Sequence, residues 1–222
     1  MKKKAAIFMD YNGTFDDVSE GKGYILFREL NKLDKVFDGN LEIVVITSAY
    51  AGIEQSIRGD LFSTLSYFPE PLRNKFAYLI EENSKYITPL NPNPFCERQN
   101  LNENGSTKQD GVEAFLKQYD KDGEIDTCIF VGDSIVADLQ MLDSNIGNRN
   151  KIMIMATRRS LKSCGHPVYK LSMKPPADLN LKKDIEEKVG TINNFILHTS
   201  NYSYGVGKGI GAVAKLLEDR EK

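Results

Sequence analysis

Residues 5–14 read Ala5-Ala6-Ile7-Phe8-Met9-Asp10-Tyr11-Asn12-Gly13-Thr14, a short apolar run that ends in a carboxylate and a glycine-containing turn. Such a run is typical of a strand that is buried on both faces of a parallel sheet. Asp10 then lies where the strand ends. Because Asp followed by Asn-Gly is also a good turn former, this stretch alone does not separate a structural turn from a functional carboxylate.

Four further apolar runs follow along the chain, and stretches with helical spacing lie between them. The runs are Ile43–Ile46, Phe76–Ile80, Cys128–Val131 and Ile152–Met155. The helical stretches are Tyr24–Leu33, Ile53–Leu65 and Lys108–Tyr119. Strands that alternate with helices predict right-handed crossovers and a parallel sheet with helices on both faces. We therefore expect an α/β fold with a three-layer, Rossmann-like arrangement.

The length and composition favour a single domain over residues 1–222. With 222 residues and 41% hydrophobic content, the chain can bury one sizeable core. Its 29 basic and 31 acidic residues give a net charge of −2, so no overall field recruits nucleic acid or an anionic membrane. No apolar run approaches the roughly 18 residues that span a bilayer. We expect neither nucleic acid nor a membrane as a partner.

The cysteines and the N-terminal stretch indicate a reduced, cytoplasmic location. Cys96, Cys128 and Cys164 are odd in number, widely spaced and without the CxxC grouping of a zinc or redox site. A signal peptide is not expected, because Asp10 ends the apolar stretch after Lys2–Lys4 within a few residues.

Polar residues follow three of the predicted strands. Asp10, Thr47 and Asp133 each come at the end of an apolar run. Ligands of open parallel sheets bind beyond the carboxyl ends of the strands, so we expect these side chains to meet at one edge of the sheet. Folding needs alone do not explain three such residues.

Lys108 lies at the predicted start of a helix. Ser106 and Gln109 have the spacing of a capping box, which puts Lys108 in the first helical turn. A cation there opposes the helix dipole. We therefore interpret Lys108 as a residue that neutralises a bound anion, in preference to a solvated surface lysine.

The order of these residues resembles the motifs of the haloacid dehalogenase (HAD) superfamily. Its phosphatases carry an aspartate nucleophile in a DxDGT motif, then a Thr or Ser, a Lys and a GDxxxxD acidic motif. The corresponding residues here are Asp10, Thr47, Lys108, Asp133 and Asp138. The resemblance implies a HAD-like phosphatase that depends on Mg2+. A response-regulator receiver fits poorly, because its acidic pair comes first along the chain.

The resemblance assigns the phosphate chemistry to four residues. Asp10 attacks phosphorus and forms an aspartyl-phosphate, which divides hydrolysis into two easier steps. Thr47 donates to a phosphate oxygen, with Ser48 as the alternative donor. Lys108 neutralises the phosphate and the aspartyl carboxylate.

The resemblance also implies a magnesium site made of hard oxygen ligands. Asp10, Asp133 and the backbone carbonyl of Asn12 bind the ion. Asp138 lies in the outer shell, where it holds a water of the metal or orients Lys108.

Asn12 departs from the family pattern, which has a second aspartate at this position. That aspartate protonates the leaving oxygen and later activates water, and an amide does neither. General acid–base catalysis contributes about 10²–10⁴-fold, so we expect slow turnover that suits a good leaving group such as an aryl phosphate. A pseudoenzyme, an engineered variant and a dehalogenase are the alternatives. The dehalogenase branch has D-x-Y-G-T here and a cap that encloses an apolar pocket.

No interval of the chain has room for a cap domain. Between Phe15 and Ile46 there is space for a turn, a helix and a strand, and residues 84–106 read as a Pro- and Asn-rich surface loop or flap. An open site suits a phosphate displayed on a phosphoprotein, for example phosphotyrosine. A second subunit that closes the site over a metabolite is the alternative, and the oligomeric state is not determined by the sequence.

Weaker features have simpler interpretations. The glycine-rich Gly205–Gly211 lacks GxxxxGK[ST] spacing, so we interpret it as a flexible entry to a terminal helix at Gly209–Asp219. Arg158 and Arg159 contact either substrate or solvent. His166 and His198 have no ligand-like partners nearby in sequence.

Overall fold

The computed structural model describes residues 4–14, 23–46, 66, 68–71, 73–75, 107–161, 168–171, 195–200 and 202–218. The strands are β1 Lys4–Met9, β2 Leu41–Val45, β3 Ile125–Gly132, β4 Asn150–Ala156, β5 Val168–Lys170 and β6 Phe195–Thr199. The α-helices that lie wholly within the described residues are α1 Tyr24–Val36, α2 Lys108–Tyr119 and α3 Tyr202–Glu218. A 3-10 helix covers Leu139–Asp143.

The six strands form one sheet in the order β2-β1-β3-β4-β6-β5. Every pair of neighbouring strands is parallel. This confirms the predicted α/β class with a parallel, Rossmann-like sheet. The chain moves from β1 to β2 on one side and later adds β3 on the other side of β1. The strand order therefore reverses between β1 and β3, which is where open α/β sheets bind ligands.

Four predicted strands are confirmed, and each begins earlier in the structure than its apolar run. Two strands were missed. Of these, β5 is three residues long, and β6 has only three apolar residues, Phe195–Leu197, before His198. Runs this short give a weak sequence signal. The predicted strand Phe76–Ile80, the helix Ile53–Leu65 and the loop 84–106 lie outside the described residues.

The core of the molecule is centred on the middle strands of the sheet. Phe8 of β1 is fully buried and packs against Phe130 of β3, with ring centroids 5.7 Å apart. Phe115 of α2 meets the same Phe8 ring edge-on at 5.4 Å. These contacts fix α2 against β1, so the N-terminus of α2 has a defined position relative to the end of β1.

The glycine-rich stretch lies inside α3, so its interpretation as a flexible entry was wrong. The helix begins at Tyr202 and contains Gly205–Gly211. A Cβ on Gly207 would lie 2.7 Å from the Leu26 nitrogen of α1, and a Cβ on Gly209 would lie 2.6 Å from Cγ2 of Ile154. The glycines let α3 approach α1 and β4 closely. This packing offsets their poor helix propensity of about 1 kcal/mol each.

A partly buried ion pair closes the amino end of β3. Arg149 Nη2 donates to Asp120 Oδ2 at 2.7 Å. Asp120 Oδ1 accepts from the backbone nitrogens of Glu124 and Ile125 at 2.8 and 3.1 Å. Arg149 also donates to the carbonyls of Ile125 and Ile146. One carboxylate and one guanidinium therefore satisfy each other and the surrounding backbone.

Within the described residues, no helix combines the length and apolar character needed to cross a membrane.

Candidate metal centre at the carboxyl edge of the sheet

Two carboxylates lie where the neighbouring strands β1 and β3 end. Asp10 directly follows β1, and Asp133 directly follows β3. The Asp10 nitrogen donates to the Val131 carbonyl at 2.8 Å, and the Ile46 nitrogen donates to the Met9 carbonyl at 2.8 Å. Backbone bonds on both sides therefore hold Asp10 at the edge of the sheet, as the order of the sequence elements predicts.

The turn after Asp10 lies directly against Asp133. Gly13 has a φ of +70°, and a Cβ at this position would lie 2.6 Å from Cγ of Asp133. Any other residue would be strained and would collide with that carboxylate. The Gly13 carbonyl accepts from the Tyr202 nitrogen at 2.9 Å, so the start of α3 supports the turn. Glycine is therefore required by both conformation and space.

Thr107 is the N-cap that positions Lys108. Its Oγ1 accepts from the Asp110 nitrogen at 3.1 Å, and Asp110 Oδ2 accepts from the Thr107 nitrogen at 2.6 Å. The capping box is therefore one residue later than the predicted Ser106–Gln109 box. Thr-x-x-Asp fits the motif as well as Ser-x-x-Gln does. In both registers Lys108 lies in the first turn, and the structure makes it the first helical residue.

Lys108 is buried and contacts two carboxylates. Only 4% of it is exposed, so it is not a solvated surface lysine. Its Nζ lies 2.6 Å from Asp10 Oδ1 and donates to Asp138 Oδ1. The lysine comes from α2 and the two acids come from different loops, so this contact brings together three segments that are distant in sequence.

Asp138 is fully buried, and both of its oxygens have partners. Its Oδ1 accepts from Lys108, and its Oδ2 accepts from the backbone nitrogens of Asp133 and Ser134, each at 2.8 Å. A Cβ on Gly132 would overlap this carboxylate, so the strand end needs glycine there. Asp138 therefore orients the lysine and shapes the loop that carries Asp133.

The three carboxylates form a group that can hold a metal ion. One oxygen from each of Asp10, Asp133 and Asp138 lies within 4.8 Å of the others. Hard cations such as Mg2+ and Ca2+ prefer carboxylate oxygens. Because Asp138 already bonds to Lys108 and to two backbone nitrogens, Asp10 and Asp133 are the better direct ligands, and Asp138 fits the shell around them.

The charges at this edge of the sheet are unbalanced. Three carboxylates face one ammonium group, which leaves two negative charges in excess when all are ionised. Burial, reinforced by Asp138 and Asp133 and opposed by Lys108, raises the pKa of Asp10 to about 7. Burial alone would lower the pKa of Lys108, but Asp138 and Asp10 together hold it above its usual value. A bound cation would relieve this excess.

The structure says less about the remaining predicted site residues. Asn12 lies in the turn with its side chain exposed, and Thr47 and Ser48 lie outside the described residues. Thr14, which ends the turn, is fully buried, and its hydroxyl has no hydrogen-bond partner among the described residues. The turn is closed by the Thr14 nitrogen, which donates to the Tyr11 carbonyl at 3.3 Å.

Two other reactive side chains have structural surroundings. Cys128 lies inside β3, where burial raises the pKa of its thiol to about 12, so it is not a nucleophile at neutral pH. His198 Nε2 lies 2.8 Å from the Thr157 carbonyl. Sequence reasoning gave this histidine no partner, because the contact joins β6 to the loop after β4, which is distant in sequence.

Comparisons of the chain with protein-family models, with curated proteins and with solved structures give no match.

Proposed function

We propose that this protein is a Mg2+-dependent phosphatase of the HAD type that acts through an aspartyl-phosphate on Asp10. One observation carries the proposal. A buried lysine bridges Asp10 and Asp138 while Asp133 lies beside them, at the carboxyl ends of two neighbouring parallel strands. A lysine in an ordinary structural ion pair needs only one carboxylate, just as Arg149 pairs with Asp120.

The reaction requires Asp10 to be an ionised nucleophile. Its carboxylate oxygen forms a bond to phosphorus while the bond from phosphorus to the leaving oxygen breaks. Lys108, 2.6 Å from Asp10 Oδ1, opposes the charge that the carboxylate and the phosphoryl oxygens share. Water then attacks the aspartyl-phosphate and regenerates Asp10 and inorganic phosphate. Positioned charges of this kind supply most of the rate enhancement in phosphoryl transfer.

Mg2+ is the cation that suits this chemistry. When bound, it neutralises charge on the phosphoryl oxygens and lowers the pKa of Asp10, so that the carboxylate is ionised at neutral pH. Asp10 and Asp133 would hold it, together with the backbone carbonyl of Asn12. Asp138 would keep Lys108 and the Asp133 loop in place.

A three-layer, capless fold accompanies this function. Phe8 contacts α2 and pairs with Phe130 of β3. Ile154 lies against α3 and pairs with Val131, the next residue of β3. Adjacent residues of a strand face opposite sides of the sheet, so this register supports helices on both faces. An open site without a cap suits a phosphoprotein such as one carrying phosphotyrosine, whose aryl leaving group needs little protonation.

A protein that binds phosphate and Mg2+ without turnover is the second candidate, and Asn12 favours it. The amide cannot protonate the leaving oxygen, so hydrolysis of an alkyl phosphate lacks general acid catalysis, which contributes about 10²–10⁴-fold to the rate. The two candidates share the site and differ only in rate. They are separated by a substrate with a good leaving group.

Hydrolysis of p-nitrophenyl phosphate tests the proposal. We expect phosphate release that requires Mg2+, is abolished by EDTA and falls by more than about 10³-fold in Asp10→Ala. Asp122→Asn is the matched control, because it removes an exposed carboxylate far from the site. No release at high enzyme concentration together with Mg2+-dependent binding of vanadate indicates the binding-only protein. If the protein neither releases phosphate nor binds vanadate, both candidates are contradicted.

A further inference from the structure

A basic cavity lies at the same edge of the sheet as the candidate metal centre. It has a volume of about 560 Å³, and its lining includes Arg158, Arg159, Lys170 and His198. None of its lining residues in the described part of the chain is acidic. We name it the basic pocket. Because the positive charges of Arg159 and Lys170 repel each other unless an anion lies between them, the pocket favours an anionic ligand.

The strand register places the basic pocket in the same row as the nucleophile. Gly132 pairs with Met155, Met155 pairs with His198, and His198 pairs with Lys170. Asp10 extends this row, because it follows Met9, which pairs with the residue before Gly132. Residues of one row face the same side of a pleated sheet. Asp10, His198 and Lys170 therefore share both the edge and the face of the sheet.

The spacing of strands gives the distance between the two sites. From Asp10, His198 is three strands away and Lys170 is four strands away. At about 4.8 Å per strand, these positions lie roughly 14 and 19 Å from Asp10. An extended peptide covers about 3.3 Å per residue, so the separation corresponds to about four to six residues. It exceeds the span of one sugar ring that carries two phosphates.

The loop that carries the arginines has a defined shape. The Arg159 nitrogen donates to Thr157 Oγ1 at 3.2 Å, and Thr157 itself is buried. His198 Nε2 lies 2.8 Å from the Thr157 carbonyl. A carbonyl only accepts, so Nε2 carries the hydrogen and the bond ties β6 to this loop. These two bonds hold the Arg159 loop against β6 before a ligand binds, which lowers the entropic cost of binding.

We propose that the basic pocket binds acidic side chains of a phosphoprotein substrate, about four to six residues from the phosphorylated residue. This inference rests on the proposed function and adds its substrate class. The phosphate lies at Asp10 and Lys108, and an extended segment crosses the carboxyl edge of the sheet to reach Arg159 and Lys170.

Two phosphotyrosine peptides of equal length test the inference. One carries glutamates four to six residues away on both sides of the phosphotyrosine, and the other carries alanines there. We expect kcat/KM to be about tenfold higher for the acidic peptide at low salt, since two or three exposed ion pairs contribute that much together. The ratio should approach one in Arg159→Gln/Lys170→Gln, and it should fall with ionic strength in the wild type.

Lys121→Gln is the matched control, because it removes an exposed cation beyond the amino end of β3. Its ratio should equal that of the wild type. A ratio of one in the wild type, or an unchanged ratio in the double variant, overturns the pocket assignment. So does a preference for bisphosphorylated sugars over the acidic peptide.

Failure of the proposed function gives a different result, because neither peptide is then dephosphorylated. In that case the fluorescence anisotropy of the two labelled peptides measures the pocket by binding alone. Tighter binding of the acidic peptide, lost in the double variant, supports the pocket without turnover. Equal binding of the two peptides rejects it.

Discussion

The two ends of β3 carry ionic clusters of opposite character. At the amino end, Asp120 meets Arg149, and every remaining bond of the pair goes to backbone groups. At the carboxyl end, Lys108 faces Asp10 and Asp138 while Asp133 lies within reach of both acids. The first cluster is electrically balanced, and the second has three carboxylates for one ammonium.

The difference separates charge that serves folding from charge that serves binding. A partly buried pair such as Asp120–Arg149 loses hydration, but its charges cancel and its hydrogen bonds are complete. The carboxyl end has an excess of buried negative charge. This excess lowers the stability of the fold, and a bound cation would relieve it. Strongly perturbed groups of this kind concentrate at functional sites. One strand thus has an electrically balanced end and an end with excess negative charge, which the proposed function makes the reactive end.

Replacing the cationic side chain at each end of β3 tests the difference between the two clusters most directly. Lys108→Met leaves the buried Asp10 and Asp138 beside the half-buried Asp133 without a compensating cation, so we expect a loss of about 3–5 kcal/mol of unfolding free energy without metal. Saturating Mg2+ should restore much of it. We also expect kcat/KM on p-nitrophenyl phosphate to fall by about 10²–10³-fold. Urea unfolding with EDTA and with Mg2+ measures the first effect.

Arg149→Met is the counterpart at the amino end. Its loss should be smaller, about 2–4 kcal/mol, because Arg149 keeps 22% of its side chain exposed and Asp120 retains two backbone donors. The decisive comparison is the response to the metal. Mg2+ should raise the stability of Arg149→Met no more than that of the wild type. Equal rescue of both variants would mean that the carboxyl end is not a cation site.

Asn12→Asp should sharpen the contrast by adding a fourth carboxylate at the reactive end. The new group supplies the acid and base that the amide lacks, so kcat on p-nitrophenyl phosphate should rise by about 10²-fold. The gain should be larger on an alkyl phosphate, whose leaving oxygen needs the proton more. Steady-state kinetics with the two substrates measures this, and equal rates before and after the change contradict the cost assigned to the amide.

The fold was predictable where one signal dominated locally. The central strands are continuous apolar runs, and α2 has an apolar face at helical spacing, so both were found. β5 and β6 were missed because each offers too few apolar residues. Gly205–Gly211 was misread because local propensity disfavours a helix, whereas α1 and β4 lie so close to α3 that only glycine fits. That information lies in the tertiary contacts.

The candidate site followed the same division. Asp10, Asp133 and Lys108 were found because strand ends and helix starts converge at one edge of a parallel sheet. Their burial was not visible, nor was the double hydrogen bond by which Asp138 caps the loop of Asp133. The basic pocket was also hidden, since Arg159 and Lys170 come from separate segments and β5 was not predicted.

The pH dependence of stability should reveal the charge excess directly, with the smallest effect of the set. The raised pKa of Asp10 means that its favourable contribution is complete below about pH 3.8 and is lost as the pH rises through about 7. Without metal, the wild type should therefore lose melting temperature relative to Asp10→Asn between pH 5 and pH 8. The gap between the two melting temperatures should widen by on the order of 5 °C over this range.

Mg2+ decides whether this widening belongs to the reactive end of β3. A bound cation favours the ionised carboxylate, so the difference between wild type and Asp10→Asn should shrink or reverse at pH 8 when Mg2+ is present. Asp122→Asn, which removes an exposed carboxylate near the amino end of β3, should follow the wild type at every pH. If the metal-free difference stays constant from pH 5 to pH 8, Asp10 does not titrate in this range, and burial with the excess of carboxylates does not raise its pKa to about 7. The two ends of β3 would then be electrostatically alike.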